Sequence, residues 1–500
     1  MRHPMTAATA PQSLPIAEKS SSANQSFSLR AVRVLIWTYL FLLLVEGALR
    51  KWALPSLSDP LLLIRDPVVL GIYFFALRAH VFPGNAYVVL LGVIGVLSMI
   101  VSILILYSYI PLQAILLVTL YGFRSDFLHL PLIFVMASVL DREDVKKIGR
   151  WTLLLMIPMA ALMVVQFKAS PDSFINKTAG LSEAQQLSTA GGKIRPPATF
   201  SFISGPVFYL SAAAAFVIYG ALSEGVYKKW LLLASSAAVL IGVVVSGSRA
   251  CVLAVVVVVL AILVILVVRP SAVNKVVGTV LALVIVGLIA SFIASRIPVF
   301  KEGIDVLSER FTSSAEIAET TVVGGLLERV LQEFTEPFRY LFKIPLSGYG
   351  LGLGTAGGAR FLVGQGTFLL SENEWVRIIA ESGPLLGMGF ILVRVALTVK
   401  LFRASLRSLK AGDVLSILLF ACAFLSVLNG QLGQPTTLGF TVVLAGLCLA
   451  ATNLGEAAMT DESETAEETE SKPLPRRSVF ADRIHRPTIG TDHTNGSVDR

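Results

Sequence analysis

Charged side chains are scarce in this sequence of 500 residues. Asp, Glu, Lys and Arg together make up 15% of it, against 55% for hydrophobic residues. A soluble domain must cover its surface with polar groups, so an apolar excess of this size cannot be hidden in one water-exposed fold. The composition therefore excludes a soluble enzyme, a disordered protein and an ordinary nucleic-acid-binding domain. We expect most of the chain to lie in lipid.

Cysteine is also rare. Cys251, Cys422 and Cys448 all lie inside apolar stretches, and their spacing fits neither a disulfide framework nor a zinc site. We expect them to be packing residues. Residues 1–30 are polar and rich in serine, with no apolar core before a small-residue cleavage site. We therefore predict no signal peptide, and a first hydrophobic segment that stays in the membrane.

Apolar runs long enough to cross about 30 Å of hydrocarbon are abundant. We predict an all-α polytopic membrane protein with about twelve transmembrane helices. The predicted spans are 33–48, 60–77, 85–104, 111–139, 148–167, 203–222, 228–247, 250–268, 273–295, 383–402, 413–430 and 435–453. The fourth is too long for one straight helix, and its string GFRSDF puts Arg124 and Asp126 near mid-depth. We expect the helix to break there, under a cover of protein.

Basic residues are distributed unequally between the two sets of short loops. If the N-terminus is cytoplasmic, the short loops on that side carry 14 Lys and Arg, and the short outward loops carry 3. Positive loops resist translocation, so both termini are predicted to be cytoplasmic. The chain then consists of a disordered N-terminus (1–32), a membrane domain (33–453) and a disordered cytoplasmic tail (454–500). Two long segments, 168–202 and 296–382, face outward.

The second outward loop carries two patterns before its last helix. Apolar residues repeat at helical spacing in its middle: Leu326, Leu327, Val330, Leu331 and Phe334. This predicts an amphipathic helix, which either lies on the outer leaflet or packs in a small outer domain. The string SGYGLGLGTAGG at 347–358 follows, and it lacks the Gly-Lys-Ser/Thr ending of a P-loop. It is compatible with a phosphate cradle, a flexible lid or a close-packed turn.

The string SENEWVRIIAESGPLLGMGF at 371–390 is the richest in chemistry. Ser371 and Glu374 fit the S-x-x-E capping box, which gives Glu374 a structural role at a helix start. Glu374, Arg377 and Glu381 share one helix face, so we expect two carboxylates to hold Arg377. Glu372 lies off that face. It is either a first-turn acid that complements the helix dipole or a carboxylate that is free to act on a substrate.

Four motifs, in this order, resemble the O-antigen ligase and O-antigen polymerase superfamily. They are Arg195-Pro-Pro-Ala-Thr-Phe, Ser246-Gly-Ser-Arg249-Ala, Gly348-Tyr-Gly350-Leu-Gly, and Glu372-Asn373 followed by Glu381-x-Gly383 and Gly387. The likeness covers residues 30–453, with a large loop between the ninth and tenth spans. It implies transfer of a glycan from an undecaprenyl-pyrophosphate carrier to an acceptor hydroxyl, at the outer face of the bacterial cytoplasmic membrane.

The resemblance also implies what the protein works with. It implies a lipid-linked glycan donor, a glycan, lipid or protein acceptor, and contact with membrane lipid. It implies no metal, cofactor or nucleotide sugar. A nucleic-acid partner is not expected, on the grounds of composition given above. The family has His-Asn where this chain has Glu372-Asn373, and none of the five histidines lies in either long outward loop. Glu372 is therefore the candidate base, since a carboxylate can accept a proton from a sugar hydroxyl. Alternatively the site is altered, and the protein is a specialised or inactive relative.

The same resemblance gives supporting roles to Asn373, Glu374, Glu381, Gly348 and Gly350.

Outward arginines are predicted to bind the donor's pyrophosphate, which gains negative charge as the glycosidic bond breaks. Arg249 is the first candidate, because it is the only base in an outward turn of three residues. Its alternative is an interfacial arginine that reaches for lipid headgroups. Arg195 and Arg377 are the second candidates, with solvent exposure and ion pairing as their respective alternatives.

Two further sets of charges lie within or beside the spans. One set is at the outer ends of the first two spans: Glu46, Arg50, Lys51, Arg65 and Asp66. We predict that it forms ion pairs between those helices. The other set, Arg124, Asp126 and His129, predicts a buried structural network, or a proton relay of the kind that a secondary transporter or a lipid-linked glycan flippase uses. A third hypothesis is a membrane assembly factor without catalysis.

Overall fold

A computed structural model describes residues 16–179, 192–270, 296–317, 322–364 and 368–452, together with 277, 278, 285 and 366. For 16–24 and for several residues between 313 and 329 it describes the backbone alone. The predicted tail (454–500), nearly all of the predicted ninth span (273–295), the first residues of the N-terminus and residues 180–191 lie outside the described residues. The predictions made for them are not addressed by the structure.

The regular elements of the described chain are helices. They are α1 (Ile16–Ala48), α2 (Asp66–Arg78), α3 (Ala86–Leu106), α4 (Leu112–Phe123), α5 (Leu132–Val139), α6 (Arg142–Lys168), α7 (Ser204–Leu222), α8 (Lys229–Val245), α9 (Arg249–Val268), α10 (Pro298–Ile317), α11 (Val322–Tyr340), α12 (Ala356–Val363), α13 (Glu374–Lys410), α14 (Leu415–Asn429) and α15 (Pro435–Thr452). The predicted all-α class is confirmed.

Nine helical segments of the described chain are long and apolar enough to cross a bilayer. The protein is therefore a multi-pass membrane protein. Two more predicted spans coincide with α8 and α14, which have 17 and 15 residues. These are shorter than the roughly 20 residues of a straight crossing. The total of twelve stays a prediction.

The buried fraction of its residues distinguishes a helix at the centre of the bundle from one at the lipid-facing edge. In the most apolar stretch of α15, 94% of the residues are buried, against 22% for the segment Pro60–Arg78 that contains α2. Neighbouring helices pack in pairs, among them α13 with α14, α6 with α8 and α1 with α2. The three cysteines are buried and free, as expected of packing residues.

The predicted break in the fourth span is confirmed. α4 ends at Phe123, a π-helical turn covers Arg124–Leu128, and α5 begins at Leu132. Arg124 and Asp126 are buried in that turn. Lipid offers no hydrogen bonds to an irregular backbone, so the turn needs this cover of protein.

A second irregularity interrupts α13 at Gly383, whose φ of 77° and ψ of 166° lie outside the helical region. A side chain at this position would also collide with the carbonyl group of Leu346. Glycine is therefore required on two counts, the left-handed φ and the close approach of a neighbouring segment. The kink brings residues 347–358 against the first turns of α13.

Candidate functional site

The start of α13 differs from the predicted capping box. Asn373 is the N-cap, and its side-chain oxygen accepts from the N–H groups of Trp375 and Val376, each at 3.1 Å. Ser371 accepts instead from the N–H of Asn373, at 3.0 Å. The capping-box prediction is wrong because asparagine caps as well as serine does, and because Glu374 has stronger, cationic partners inside the protein.

Arg377 is the centre of a buried charge cluster. Its guanidinium contacts Asp126 at 2.8 Å, Glu374 at 2.8 Å and Glu381 at 2.9 Å, and each of these side chains is at most 3% exposed. Its five N–H donors are matched by five hydrogen bonds to these carboxylates. The predicted hold by two carboxylates is confirmed, and the broken fourth span supplies a third. Phosphate binding by Arg377 would require one of these bonds to break.

Glu374 extends the cluster toward α14. Its carboxylate accepts from Arg394 at 3.0 Å and from the N–H of Leu432 at 3.1 Å. Arg394 in turn donates to the carbonyl groups of Ser426, Val427 and Gly430. Glu374 therefore ties both halves of α13 to the end of α14. We call Asp126, Glu374, Arg377, Glu381 and Arg394 the buried cluster.

The glycine-rich segment 347–358 packs on the buried cluster. The N–H groups of Gly352 and Gly354 donate to the two carboxylate oxygens of Glu381, at 3.0 and 2.8 Å. Gly348 and Gly350, which the resemblance singled out, have φ values of 70° and 132°, and Gly352 has one of 90°. The segment is a close-packed turn. The anion that its backbone donors bind is a carboxylate of the same chain.

A second buried network joins the first two spans to the broken helix. Glu46 pairs with Arg65 at 2.9 Å. Asp66 contacts Arg124 at 2.6 Å and His129 at 2.9 Å. The predicted ion pairing between the first two spans is confirmed for Glu46 and Arg65, whereas Lys51 donates to the carbonyl groups of Ala198 and Phe200, each at 2.7 Å. The predicted set Arg124, Asp126 and His129 is buried but divides, with Arg124 and His129 on Asp66 and Asp126 on Arg377. The choice between a structural network and a proton relay stays a prediction.

A cavity opens where α7 begins and α14 ends, on the side that the loop charges predict to be outward. Its volume is about 90 Å³. Its walls combine cationic, polar and aromatic side chains, namely Arg50, Arg360, Ser201, Ser204, Gln434, Thr436, Tyr121, Phe202 and Phe368. Arg360 is paired with Asp59 at 2.9 Å, and a third of its side chain is exposed. We call this space the outer cavity.

A smaller cavity adjoins the outer cavity. The two share Ala356, Phe368, Gly433 and Gln434 as lining residues. Glu372 and Arg377 both line the smaller one. Glu372 is exposed, and its backbone carbonyl accepts from the side chain of Gln431 at 2.8 Å. The predicted base therefore lines a small space of about 10 Å³ that shares part of its wall with the outer cavity.

Arg195 and Arg249 come together at another place, with Arg310 of α10. Arg249 donates to the backbone carbonyl of Arg310 at 3.2 Å. Burial lowers the pKa of Arg195, and the positive charges of Arg310 and Arg249 lower it further. We call these three the outer arginines. Neither Arg195 nor Arg249 lines the two cavities described above.

Three cations of these sites were not among the predicted site residues. Arg310 and Arg360 lie in a loop of mixed charge, where no spacing distinguished them, and Arg50 was assigned to ion pairing. Arg50 does approach Glu46, at 3.9 Å, but it also donates to Ser201 at 2.8 Å. In the described ranges no group of three His, Cys, Asp or Glu side chains could hold a metal ion.

The amphipathic helix expected around 326–334 is α11. It packs on the start of α13, where Phe334 and Trp375 make an edge-to-face contact with ring centres 5.1 Å apart. Asn373 also donates to the backbone carbonyl of Glu333, at 3.0 Å. Leu331 and Phe338 are more than half exposed on α11. One face of this helix therefore covers the candidate site and another remains open.

No protein-family model and no curated protein matches this chain. The likeness to O-antigen ligases and polymerases therefore rests on the four motifs alone.

Proposed function

We propose that this chain transfers a glycan from an undecaprenyl-pyrophosphate carrier to an acceptor hydroxyl, as an enzyme of the O-antigen ligase or polymerase type. The supporting observation is the pair of adjoining cavities, where an exposed carboxylate meets a space lined by cations, hydroxyls and aromatic rings. Twelve spans, cytoplasmic termini, a large outward loop and residence in the bacterial cytoplasmic membrane belong to the same proposal.

The outer cavity has the chemistry that a sugar requires. Ser201, Ser204 and Gln434 offer donors and acceptors for sugar hydroxyls, while Tyr121 and Phe368 offer apolar surface for the faces of the rings. The Ser204 hydroxyl is buried and makes no hydrogen bond within the described chain. A buried polar group of this kind is costly unless something binds it, and a sugar hydroxyl would satisfy it.

In the proposed reaction, Glu372 accepts the proton of the acceptor hydroxyl. The acceptor oxygen forms a bond to the anomeric carbon, the bond from that carbon to the pyrophosphate oxygen breaks, and undecaprenyl pyrophosphate leaves. Guanidinium groups stabilise the charge that develops on the leaving group more than they stabilise the ground state. We assign this role to Arg249 and Arg195.

The outer arginines and the outer cavity are joined by a short piece of chain. Arg195 is six residues before Ser201, which lines the cavity, so their Cα atoms are at most about 21 Å apart. The bond that breaks joins the anomeric carbon of the reacting sugar to the pyrophosphate, so the sugar and the donor phosphates must lie side by side. The proposal therefore requires the outer arginines and Glu372 to act on the same end of the donor, with the arginines at its phosphates and Glu372 at the acceptor hydroxyl.

The test uses the full chain in lipid nanodiscs, with lipid-linked glycans extracted from membranes of its source cells as donor and acceptor mixture. Glu372→Gln is expected to lower transfer by roughly 10²- to 10⁴-fold, because it removes the base and keeps the shape. Binding of undecaprenyl pyrophosphate should persist in this variant. Glu328→Gln, an exposed acid of α11, is the matched control and should transfer normally.

Three results would contradict the proposal. Full transfer in both Glu372→Gln and Arg249→Ala would remove the mechanism. Failure of the wild-type chain to bind undecaprenyl pyrophosphate would indicate an assembly factor. Ion-driven flux that Asp126→Asn stops, without any transfer, would indicate a transporter or flippase.

A further inference from the structure

A lateral groove lies between α1, α6, α7 and α15. Its volume is about 730 Å³, and it is open on one side to the surroundings of the bundle. Its walls are nearly all apolar, and include Trp37, Phe41, Leu44, Leu155, Phe216 and Val443. The four helices all belong to segments that cross the membrane, so the open side of the groove faces lipid.

The hydroxyl groups in the wall already have partners. The hydroxyl of Thr38 donates to the carbonyl of Val34 at 3.0 Å, and that of Tyr209 donates to the carbonyl of Thr152 at 2.9 Å. Hydrocarbon fits such a surface, because the hydroxyl groups that it would cover are already bonded.

The length of the groove limits the kind of chain that fits it. On α1 the lining residues run from Val34 to Leu44, which is about 15 Å at 1.5 Å per residue. This is half of the roughly 30 Å of hydrocarbon in a bilayer. The groove thus matches one acyl chain of one leaflet, whereas the eleven isoprene units of an undecaprenyl chain would extend far beyond it.

One end of the groove is marked by basic and interfacial side chains. Arg30 precedes Val34 by one helical turn and shares a face with Val34, Trp37 and Phe41. On α6, Lys147 and Trp151 are exposed at the same end, and tryptophan favours the membrane interface.

Arg33, also at this end, pairs with Asp141 and Asp144 at 3.2 and 3.1 Å. It is therefore less suited to a ligand than Arg30 and Lys147.

We propose that the groove binds one acyl chain of an anionic phospholipid, whose phosphate group lies between Arg30 and Lys147. This lipid belongs to the leaflet that contains the start of α1, which the loop charges predict to be cytoplasmic. It is a lipid separate from the glycan donor, so the inference does not depend on the proposed function.

The far end of the groove approaches the outer cavity. Phe440 lines the groove and packs against Phe200 and Phe208, with ring centres 5.5 and 5.6 Å apart. Phe200 is followed directly by Ser201 of the outer cavity. The bound acyl chain therefore supports the aromatic layer that separates lipid from the candidate site.

The experiment is native mass spectrometry of the purified full chain, with dioleoylphosphatidylglycerol as the probe. Dioleoylphosphatidylcholine and undecaprenyl phosphate are the competitors. Two variants remove different parts of the site: Ala212→Phe fills the groove, and the double variant Arg30→Gln, Lys147→Gln removes the head contacts. Leu263→Phe, exposed on α9, and Arg78→Gln, exposed at the end of α2, are the matched controls.

The wild type and both controls are expected to retain phosphatidylglycerol in preference to phosphatidylcholine. The double variant should bind it about fivefold more weakly for each base removed, given the usual attraction of one base to anionic lipid. Ala212→Phe should lose the adduct as well. Equal retention by wild type and double variant would overturn the proposal, and so would displacement of phosphatidylglycerol by undecaprenyl phosphate.

Discussion

Two carboxylates at the start of α13, only two residues apart, have opposite surroundings. Glu374 is 2% exposed and is bound by two guanidinium groups and a backbone N–H. Glu372 is exposed and lines a cavity. The boundary between them is the N-cap, Asn373. Residues after the cap share the inward face of the helix, whereas Glu372 precedes the helix and points elsewhere.

The comparison separates charges that hold the fold from charges that are available to a substrate. The buried cluster has three acids and two bases, a formal charge of −1, and the donors of Arg377 are all used. Such a site repels a pyrophosphate. At the outer arginines, the positive charges of Arg310 and Arg249 both lower the pKa of Arg195, and the outer cavity holds a partly exposed Arg360. Chemistry on an anionic lipid therefore fits the outer arginines and the outer cavity better than the buried cluster.

The largest expected effect comes from breaking the buried cluster. Arg377→Met leaves three carboxylates without their shared cation, and the loss of one partner from a buried pair costs about 3–5 kcal/mol. We expect thermal unfolding in detergent at a much lower temperature, and poor recovery of folded protein. Arg339→Met, an exposed base of α11, is the control. A stable Arg377→Met protein that has lost only transfer would erase the distinction between the two regions.

The next largest effect distinguishes the role of the outer arginines from the role of the outer cavity. Arg249→Ala is expected to lower transfer at least about 100-fold, as removal of a transition-state donor does, and to weaken undecaprenyl pyrophosphate binding. Arg360→Ala should lower transfer about tenfold and leave donor binding nearly unchanged, because Arg360 lines the cavity that we propose for the sugar. Both quantities are measured in nanodiscs. The reverse pattern would move the phosphates into the cavity.

The local sequence predicted which charged side chains need a partner, but it seldom predicted which residue that partner is. The break at 122–127 followed from a charged string inside an apolar run, and the hold on Arg377 by Glu374 and Glu381 followed from helical spacing. The contact of Arg377 with Asp126 joins distant parts of the chain, and no periodicity encodes it. The outer cavity draws Arg50, Ser201, Arg360 and Gln434 from four segments, so it exists only after the helices have packed.

Which residue caps the start of α13 can be tested directly, and the expected effect on stability is smaller. Asn373→Ala removes the acceptor of two N–H groups and is expected to lower the free energy of unfolding by about 1 kcal/mol. Ser371→Ala should cost only a few tenths of that amount, since Ser371 contacts only the N–H of Asn373. Thermal melts of the two variants side by side measure the difference. A larger loss of unfolding free energy in Ser371→Ala than in Asn373→Ala would support the capping box instead.

The smallest effect concerns Glu333 of α11, which lies beside the candidate site and outside the spans. Burial raises the pKa of Glu333. The hydrogen bond from Asn429 opposes that shift, and the charges of Glu336 and Glu374 add to it. The folded state therefore favours the protonated acid, whose stabilising contribution is complete below the unfolded pKa of about 4.3 and is lost as pH rises through the higher folded value.

Glu333→Gln keeps an acceptor for Asn429 and carries no charge at any pH. We expect it to hold α11 more firmly than the wild type does at pH 7, by less than about 0.5 kcal/mol after solvent screening. The two proteins should converge below about pH 4, where the wild-type acid is protonated as well. Hydrogen exchange of α11 between pH 4 and 7 measures this, after correction for the intrinsic rates, with Glu328→Gln as the control. Faster exchange in Glu333→Gln at pH 7 would mean that the charge itself stabilises the contact. In that case Glu333 would belong with the charges that stabilise the fold.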